Sequence, residues 1–448
     1  MESVYVRELE YYSKDYLYKL LGNNEKVLNN LLKKDIVRYD DNSYQFNYVG
    51  IIIVDEYRIN CYPKYIKSED NIENDFKQIL QVTKKYNRFR DNFDYENDEL
   101  ENISFNLLSM MLFFIEDYYE NGVYSKIQNI LETNGNGEIN WDRTINDNFA
   151  IIQNNKPYYT ELQTKYKIND LFDYFRLLHE FIITQCSKKL EDAGLLELFD
   201  LTPVEISEKA LDDFGEIEFI LNRLEKELNV EFNTHKQKLL KSMHAYLSEK
   251  NSFTNENYLT LYGTSTYHVI WEEMCCRVLG DKLDKKLNDL KMPVKSYSSK
   301  KLIDIIKRPK WVLNNGGSMN ADGTFIPDLI TFYNDEFIIL DAKYYNLTFE
   351  KGKLYGQPGL ESITKQYLYE LAYKDFIDFH GFVGVKNGFS FPTDNLEIGN
   401  KGYVELEILS NLGLENIQVI MLPAGEMNQL YLDNKKMSIE RLKLWEIL

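Results

Sequence analysis

Apolar residues in the first half of the chain mostly follow helical spacing; in the second half they shift toward the continuous runs of buried strands. Residues 13–21 and 24–34 read as two short helices, the second carrying Val27, Leu28, Leu31 and Leu32 on one face. Ile36-Val37-Arg38-Tyr39 and Tyr44-Gln45-Phe46 flank the polar turn Asp40-Asp41-Asn42-Ser43 and predict a β-hairpin. Strand-like runs at 48–54 and 57–62 follow, around Asp55-Glu56. Helix, helix, hairpin is the order of a winged helix, so residues 1–66 are expected to form a small α+β module that contacts DNA or a partner. Residues 67–250 are expected to be mainly helical and to dock a partner. They carry long apolar periodicity at 100–119 and 168–190 and an amphipathic, charge-rich stretch at 216–247. Between these, 134–146 is expected to be a non-helical, β-like insert. Gly135 and Gly137 among asparagines mark a turn, and Ile139, Trp141 and Ile145 suggest extended packing.

From about residue 251 the texture changes. A helix at 267–279 precedes strands at 325–333 and 336–345, and a second helix at 360–379 follows Pro358. Further strands at 381–385, 403–409 and 417–422 and a closing helix at 439–447 complete an α/β domain over 251–448. The whole chain is therefore expected to be a multidomain α/β protein.

Composition narrows the function classes. A chain of 448 residues exceeds one ordinary core, and its 44% hydrophobic and 14% aromatic content can fill several. No run approaches a membrane span, and the first residues lack a basic segment followed by an apolar one, so the expected location is cytoplasmic. Cys61, Cys186, Cys275 and Cys276 show no zinc spacing and read as reduced thiols. His179, His235, His244, His268 and His380 are scattered and read as structural or surface residues. No GxxxxGK[ST] occurs, so the chain is not itself a P-loop NTPase. The net charge of −19 is unlike a free-standing DNA binder. Residues 284–311 depart from that background, with nine lysines and arginines against Asp284, Asp289 and Asp304. This segment reads either as a solvated face or as a DNA-facing patch; its position just before the site below favours the patch.

The chemistry concentrates in Phe325-Ile326-Pro327-Asp328-Leu329-Ile330-Thr331-Phe332-Tyr333-Asn334-Asp335-Glu336-Phe337-Ile338-Ile339-Leu340-Asp341-Ala342-Lys343. Asn334-Asp335 suits the positive φ angles of a two-residue hairpin loop. Counting back from that loop pairs Asp328 with Asp341, with Cβ atoms roughly 4.5–5.5 Å apart. Lys343 falls on the same face by the period of two. Two facing carboxylates repel unless a cation joins them, and Mg²⁺ suits such oxygen ligands while keeping positions for water and phosphate. Mn²⁺ would be able to substitute. The ammonium of Lys343 could then orient an attacking water for phosphodiester hydrolysis. Asp-x-Lys also occurs at Asp75, Asp284 and Asp433, but none of those follows an apolar strand with a second carboxylate opposite.

Pro327-Asp328, twelve residues, then Asp341-Ala342-Lys343 resembles the PD-(D/E)xK nuclease superfamily. That resemblance implies a restriction-endonuclease-like mixed sheet flanked by helices, metal ligation by Asp328 and Asp341, and water activation by Lys343. It also implies a further metal ligand in the Ala342 carbonyl, an auxiliary metal or water ligand in Glu272 of Tyr267-His268-Val269-Ile270-Trp271-Glu272-Glu273, and a site-facing Gln366 with Tyr369 lining the site. Phe46-Asn47-Tyr48-Val49-Gly50-Ile51-Ile52, Tyr62-Pro63-Lys64-Tyr65, Asn140-Trp141-Asp142-Arg143-Thr144-Ile145 and Tyr262-Gly263-Thr264-Ser265 together resemble the LlaJI-type restriction endonucleases, a group related to McrC. This second resemblance implies an endonuclease subunit of a restriction, phage-defence system that cuts double-stranded DNA. A McrB-like AAA+ NTPase partner would drive it, and an oligomeric assembly would be possible. Two other readings stay open: a self-sufficient nuclease whose N-terminal half reads DNA, and a non-catalytic adaptor with a nuclease fold. The intact Asp328, Asp341 and Lys343 argue against the adaptor, and residues 1–250 carry no clear basic stripe for the second reading.

Overall fold

The computed structural model describes residues 2–54, 57–94, 107–252, 259–350 and 352–445. Parts of three expected elements, the turn at Asp55-Glu56, residues 100–106 and the end of the closing helix at 446–447, lie outside these. The chain forms two compact units that do not follow chain order: 103–260 is one, and 2–102 with 261–448 is the other. The expected division at 66 and 250 is thus replaced by a discontinuous unit, because strands far apart in sequence pair with each other.

The discontinuous unit begins with the strand Glu2–Arg7, a short stretch whose apolar pattern gave no warning of it. The two expected helices form at Lys14–Leu20 and Glu25–Lys33, capped by the Ser13 and Asn24 side chains. The expected hairpin joins Val37–Asp40 to Ser43–Phe46 through Asp41 and Asn42, both at positive φ. Around these elements lies a four-stranded sheet in the order Glu2–Arg7, Tyr57–Tyr62, Val49–Val54, Leu259–Thr264. Its last pairing brings Val49-Gly50 against Tyr262-Gly263. A Cβ on Gly50 would stand 2.1 Å from the Tyr262 carbonyl oxygen, and one on Gly263 2.1 Å from that of Val49. Both glycines also hold φ values, +141° and +151°, that a side chain would strain.

The remaining part of this unit is a mixed five-stranded sheet in the order Leu329–Tyr333, Glu336–Ala342, Gly384–Thr393, Ile417–Pro423, Gly399–Val404. The first pair is the antiparallel hairpin; the next two pairings are parallel and the last antiparallel. Two of the three inner strands, Glu336–Ala342 and Ile417–Pro423, are near-continuous apolar runs, as strands covered on both faces are. Helix Tyr267–Leu279 packs on the hairpin, ending at Gly280 in the left-handed region. Helix Leu360–Phe379 packs on the Glu336–Ala342 and Gly384–Thr393 strands, burying Tyr367, Tyr373 and Phe376. A strand expected at 381–385 runs instead over Gly384–Thr393, a helix Ala424–Leu432 appears that the pattern did not predict, and the closing helix is a 3₁₀ turn, Ile439–Leu442. Helix Ile72–Asp94 docks on Ala424–Leu432: Lys85 Nζ donates to the Tyr431 and Leu432 carbonyls at 2.6 and 3.0 Å, where the helix dipole favours a cation.

The other unit contains helices Leu107–Asn121, Tyr174–Asp192, Ile217–Leu228 and Thr234–Ser252. It is less purely helical than expected, since Ile127–Thr133, Gln163–Asn169 and Glu138–Ile139 form a three-stranded sheet and Ala150–Gln153 pairs with Lys156–Tyr159. The expected non-helical insert also needs correction. Trp141–Asp147 is a helix, because the Asn140 side chain accepts from Arg143 N at 3.3 Å and caps it. Trp141 and Ile145 are exposed and do not pack as in a strand.

Candidate active site

The Asn334-Asp335 loop forms as the residue types require, with φ of 48° and 61°. Leu329 pairs with Leu340 and Tyr333 with Glu336, so the next positions outward, Asp328 and Asp341, stand opposite each other. Asp328 Oδ2 accepts from Ala342 N, the residue after Asp341, at 2.8 Å. Lys343 Nζ lies 2.8 Å from Asp341 Oδ2, on the same side. Asp341 is buried and Lys343 nearly so, which sets this ion pair apart from an exposed one at a strand end.

Burial and the adjacent Asp341 push the Asp328 carboxyl well above the usual carboxylate range. Glu272, half-buried on helix Tyr267–Leu279, is also raised, by burial first and then by Asp341, with Lys343 opposing. Burial followed by the charges of Asp341, Asp328 and Glu272 raises the Tyr369 hydroxyl, which places all four side chains around one spot. Gln366 is different. Fully buried, it donates through Nε2 to Asn387 Oδ1 at 2.7 Å and to the carbonyls of Ile339 and Gly388 at 3.3 and 3.4 Å. It braces the helix against the sheet two residues behind Asp341, and its Oε1 has no hydrogen-bond partner among the described residues.

Several supports carry no signal of their own in the sequence. The Ser390 carbonyl accepts both from Lys343 N at 2.9 Å and from Trp271 Nε1 at 3.2 Å, fixing the strand end on which Lys343 rides. Asp281 Oδ1 accepts from Ile330 N at 2.9 Å, and Cys276 Sγ donates to the Asp328 carbonyl at 3.2 Å. Immediately after Lys343, Tyr344 is buried between Tyr65 and Tyr267, its ring under Lys64 Nζ at 4.3 Å and its hydroxyl donating to Glu8. The Tyr62–Tyr65 pattern thus sits behind the lysine.

The sequence profile of the LlaJI restriction endonuclease family matches residues 48–424. The chain belongs to the LlaJI restriction endonuclease family. The YdjA component of the BsuMI type II restriction enzyme of Bacillus subtilis (strain 168) is 29% identical over 447 residues, covering 96% of this chain and 90% of that protein. Among solved structures, Thermococcus gammatolerans McrC bound to McrB AAA+ hexamers aligns over 96% of this chain and 99% of that one, at 12% identity and a TM-score of 0.37. The McrBC complex of the same organism aligns over 58% of this chain and 82% of that one, also at 12% identity, with a TM-score of 0.24.

Two of the histidines are structural. Burial pushes His179 down to about 4, so it is neutral and accepts from Tyr124 N at 3.0 Å, while His380 Nδ1 bonds the Val294 carbonyl at 2.8 Å. All four cysteines are free thiols. No helix among the described residues is long and apolar enough to cross a membrane.

Proposed function

We propose that this chain is a Mg²⁺-dependent endonuclease subunit of a restriction system, hydrolysing phosphodiesters of double-stranded DNA with a PD-(D/E)xK site. The observation that carries this is the facing Asp328–Asp341 carboxyl pair with Lys343 2.8 Å from Asp341, inside a chain of a restriction endonuclease family.

The donor set fits the metal. Among the described residues no three acidic, His or Cys side chains form a ready cage. Two carboxylates and the Ala342 carbonyl instead leave positions for water and phosphate, the arrangement magnesium prefers. Two carboxyls facing each other this closely also repel unless a cation joins them, which a divalent ion would do. Asp328, Asp341 and Ala342 would hold the ion, with Glu272 beside them, and Mn²⁺ would fit the same oxygens. Bound there, the metal would supply positive charge to the scissile phosphate and acidify a coordinated water. Asp341 aims Lys343 by their short contact, and the ammonium of Lys343 orients the attacking water. Glu272, with its raised carboxyl, is placed to take up that water's proton. Tyr369 narrows the spot against bulk solvent.

Asp341→Ala and Lys343→Ala are each expected to lower Mg²⁺-dependent DNA cutting at least about 10²-fold with the fold retained. Mg²⁺ should raise the thermal midpoint of the unsubstituted chain and leave that of Asp341→Ala unmoved. Undiminished cutting by either variant would sink the mechanism.

The catalytic power is proposed to depend on a McrB-like AAA+ NTPase partner. The chain has no P-loop, its net charge of −19 disfavours unaided DNA capture, and its Bacillus relative is named as a component of an enzyme. A neighbouring reading frame encoding such an NTPase would agree; site-specific cutting by the purified chain alone would select the self-sufficient reading instead. The intact trio, with Lys343 paired to Asp341, speaks against a non-catalytic adaptor.

A further inference from the structure

Just upstream of the carboxylate pair stands a two-stranded ribbon, Lys310–Val312 against Ser318–Asn320. Register and the period of two give it two unlike faces. Trp311 opposes Met319 on one face, 69% and 64% exposed, large values for a tryptophan and a methionine with no structural role there. Lys310 opposes Asn320 on the other, and both line an open cleft of about 500 Å³ with Lys307 and Arg308. The backbone holds the cleft's shape: Ala321 N donates to the Pro309 carbonyl at 2.7 Å and Thr324 Oγ1 to the Lys307 carbonyl at 3.0 Å.

None of Lys307, Arg308 and Lys310 makes an ion pair with a described residue, and Asp304, the one acid lining the cleft, instead caps its own turn by accepting from Lys301 N at 3.1 Å. In a chain of net charge −19, three free cations on one cleft mark a place for an external polyanion. One end of the cleft is close to the site along the chain, since Ile326, another lining residue, is two positions before Asp328. At ~3.5 Å per residue that is about 7 Å of chain, one or two nucleotide steps at ~3.4 Å each.

We propose that this ribbon is a DNA-gripping wing. Its cleft face, through Lys307, Arg308 and Lys310, holds the duplex backbone next to the scissile phosphate, and its apolar face carries Trp311 and Met319 into the adjoining groove. A two-stranded ribbon fits a DNA groove, and apolar side chains there wedge against base steps. The inference rests on the nuclease reading above and adds to it where the chain itself touches DNA.

The test measures binding of the full chain to a duplex without divalent metal, across a range of salt. Replacing Lys307, Arg308 and Lys310 together by Ala should weaken binding at least about tenfold and flatten the log–log salt dependence by roughly three, about one per lost phosphate contact. Trp311→Ala should weaken binding with the salt slope unchanged, because it carries no charge. Replacing Lys285, Lys286 and Lys291 by Ala removes equal charge elsewhere in the basic segment and should change the slope far less. Equal losses in both triple variants, an unchanged slope in the first, or no duplex binding by the unsubstituted chain would overturn the wing. So would intact DNA binding by the first variant with loss of a protein partner. Cutting lost in Asp341→Ala would still uphold the nuclease in each of those cases, and cutting retained there would reject the nuclease whatever the ribbon does.

Discussion

Glu370, on the buried side of helix Leu360–Phe379, accepts from Glu415 N at 3.0 Å and from Asn387 Nδ2 at 3.4 Å. Burial outweighs these bonds and lifts its carboxyl to about 7; Glu415 adds to the rise and Lys374 opposes it. A carboxyl whose midpoint is higher folded than unfolded makes the folded chain bind more protons. Its contribution favours the fold at low pH and is lost as pH rises from about 4.5 through about 7. Moving the midpoint that far is worth on the order of 3 kcal/mol at most. Glu370→Gln should therefore flatten the fall in stability between pH 5 and 8, measured by denaturant unfolding at each pH; an unchanged pH profile would rule this out. Glu370 and its partner Asn387 were invisible in the sequence, because polar residues occur on every side of this helix and only the crossing strands decide which are buried. Asp328, Asp341 and Lys343 were legible for the opposite reason: a two-residue turn and a period of two fix cross-strand partners by counting alone.

Among elements, local rules worked where a segment determines its own shape. The hairpin at Asn334-Asp335, helix 267–279 and helix 360–379 follow from turn chemistry and apolar spacing, and the structure has them at those positions. They failed where a neighbour decides. Asn140 read as a turn residue and is a helix cap. Phe389-Ser390-Phe391-Pro392 ends in a helix-breaking, ladder-breaking residue, yet it continues the strand Gly384–Thr393, flanked in the sheet by Glu336–Ala342 and Ile417–Pro423. The tight approach of Gly50 to Tyr262-Gly263 yields a prediction of its own. Gly50→Ala forces a Cβ against the Tyr262 carbonyl and should cost several kcal/mol, about 3 or more, read as a drop in thermal midpoint or loss of soluble protein. A variant with normal stability would mean the strands 49–54 and 259–264 part without consequence.

At the scale of the molecule, chain order misled the reading. Residues 1–66 looked like a separable module, but residues 2–102 and 261–448 form one compact unit. Nothing local in either stretch announces a partner some two hundred residues away. A fragment of residues 251–448 is accordingly expected to lack cooperative unfolding and to be digested by protease at concentrations the full chain survives. Adding residues 1–102 as a separate chain should restore protection. A cooperatively folding 251–448 fragment would show that the N-terminal strands merely decorate the nuclease sheet.

The burial of Tyr344 against Glu8 has a consequence in time as well as space. Glu8 is made well before Lys343 and Tyr344, with more than three hundred residues between them. The Gly384–Thr393 strand that holds Lys343 through the Ser390 carbonyl comes later still, followed by its neighbour Ile417–Pro423. Contacts of such long sequence separation form late in folding. A chain stopped early, or one still being translated, therefore has its carboxylates without the frame that aims the lysine. The order in which these strands are made is therefore itself a control on when the lysine is aimed.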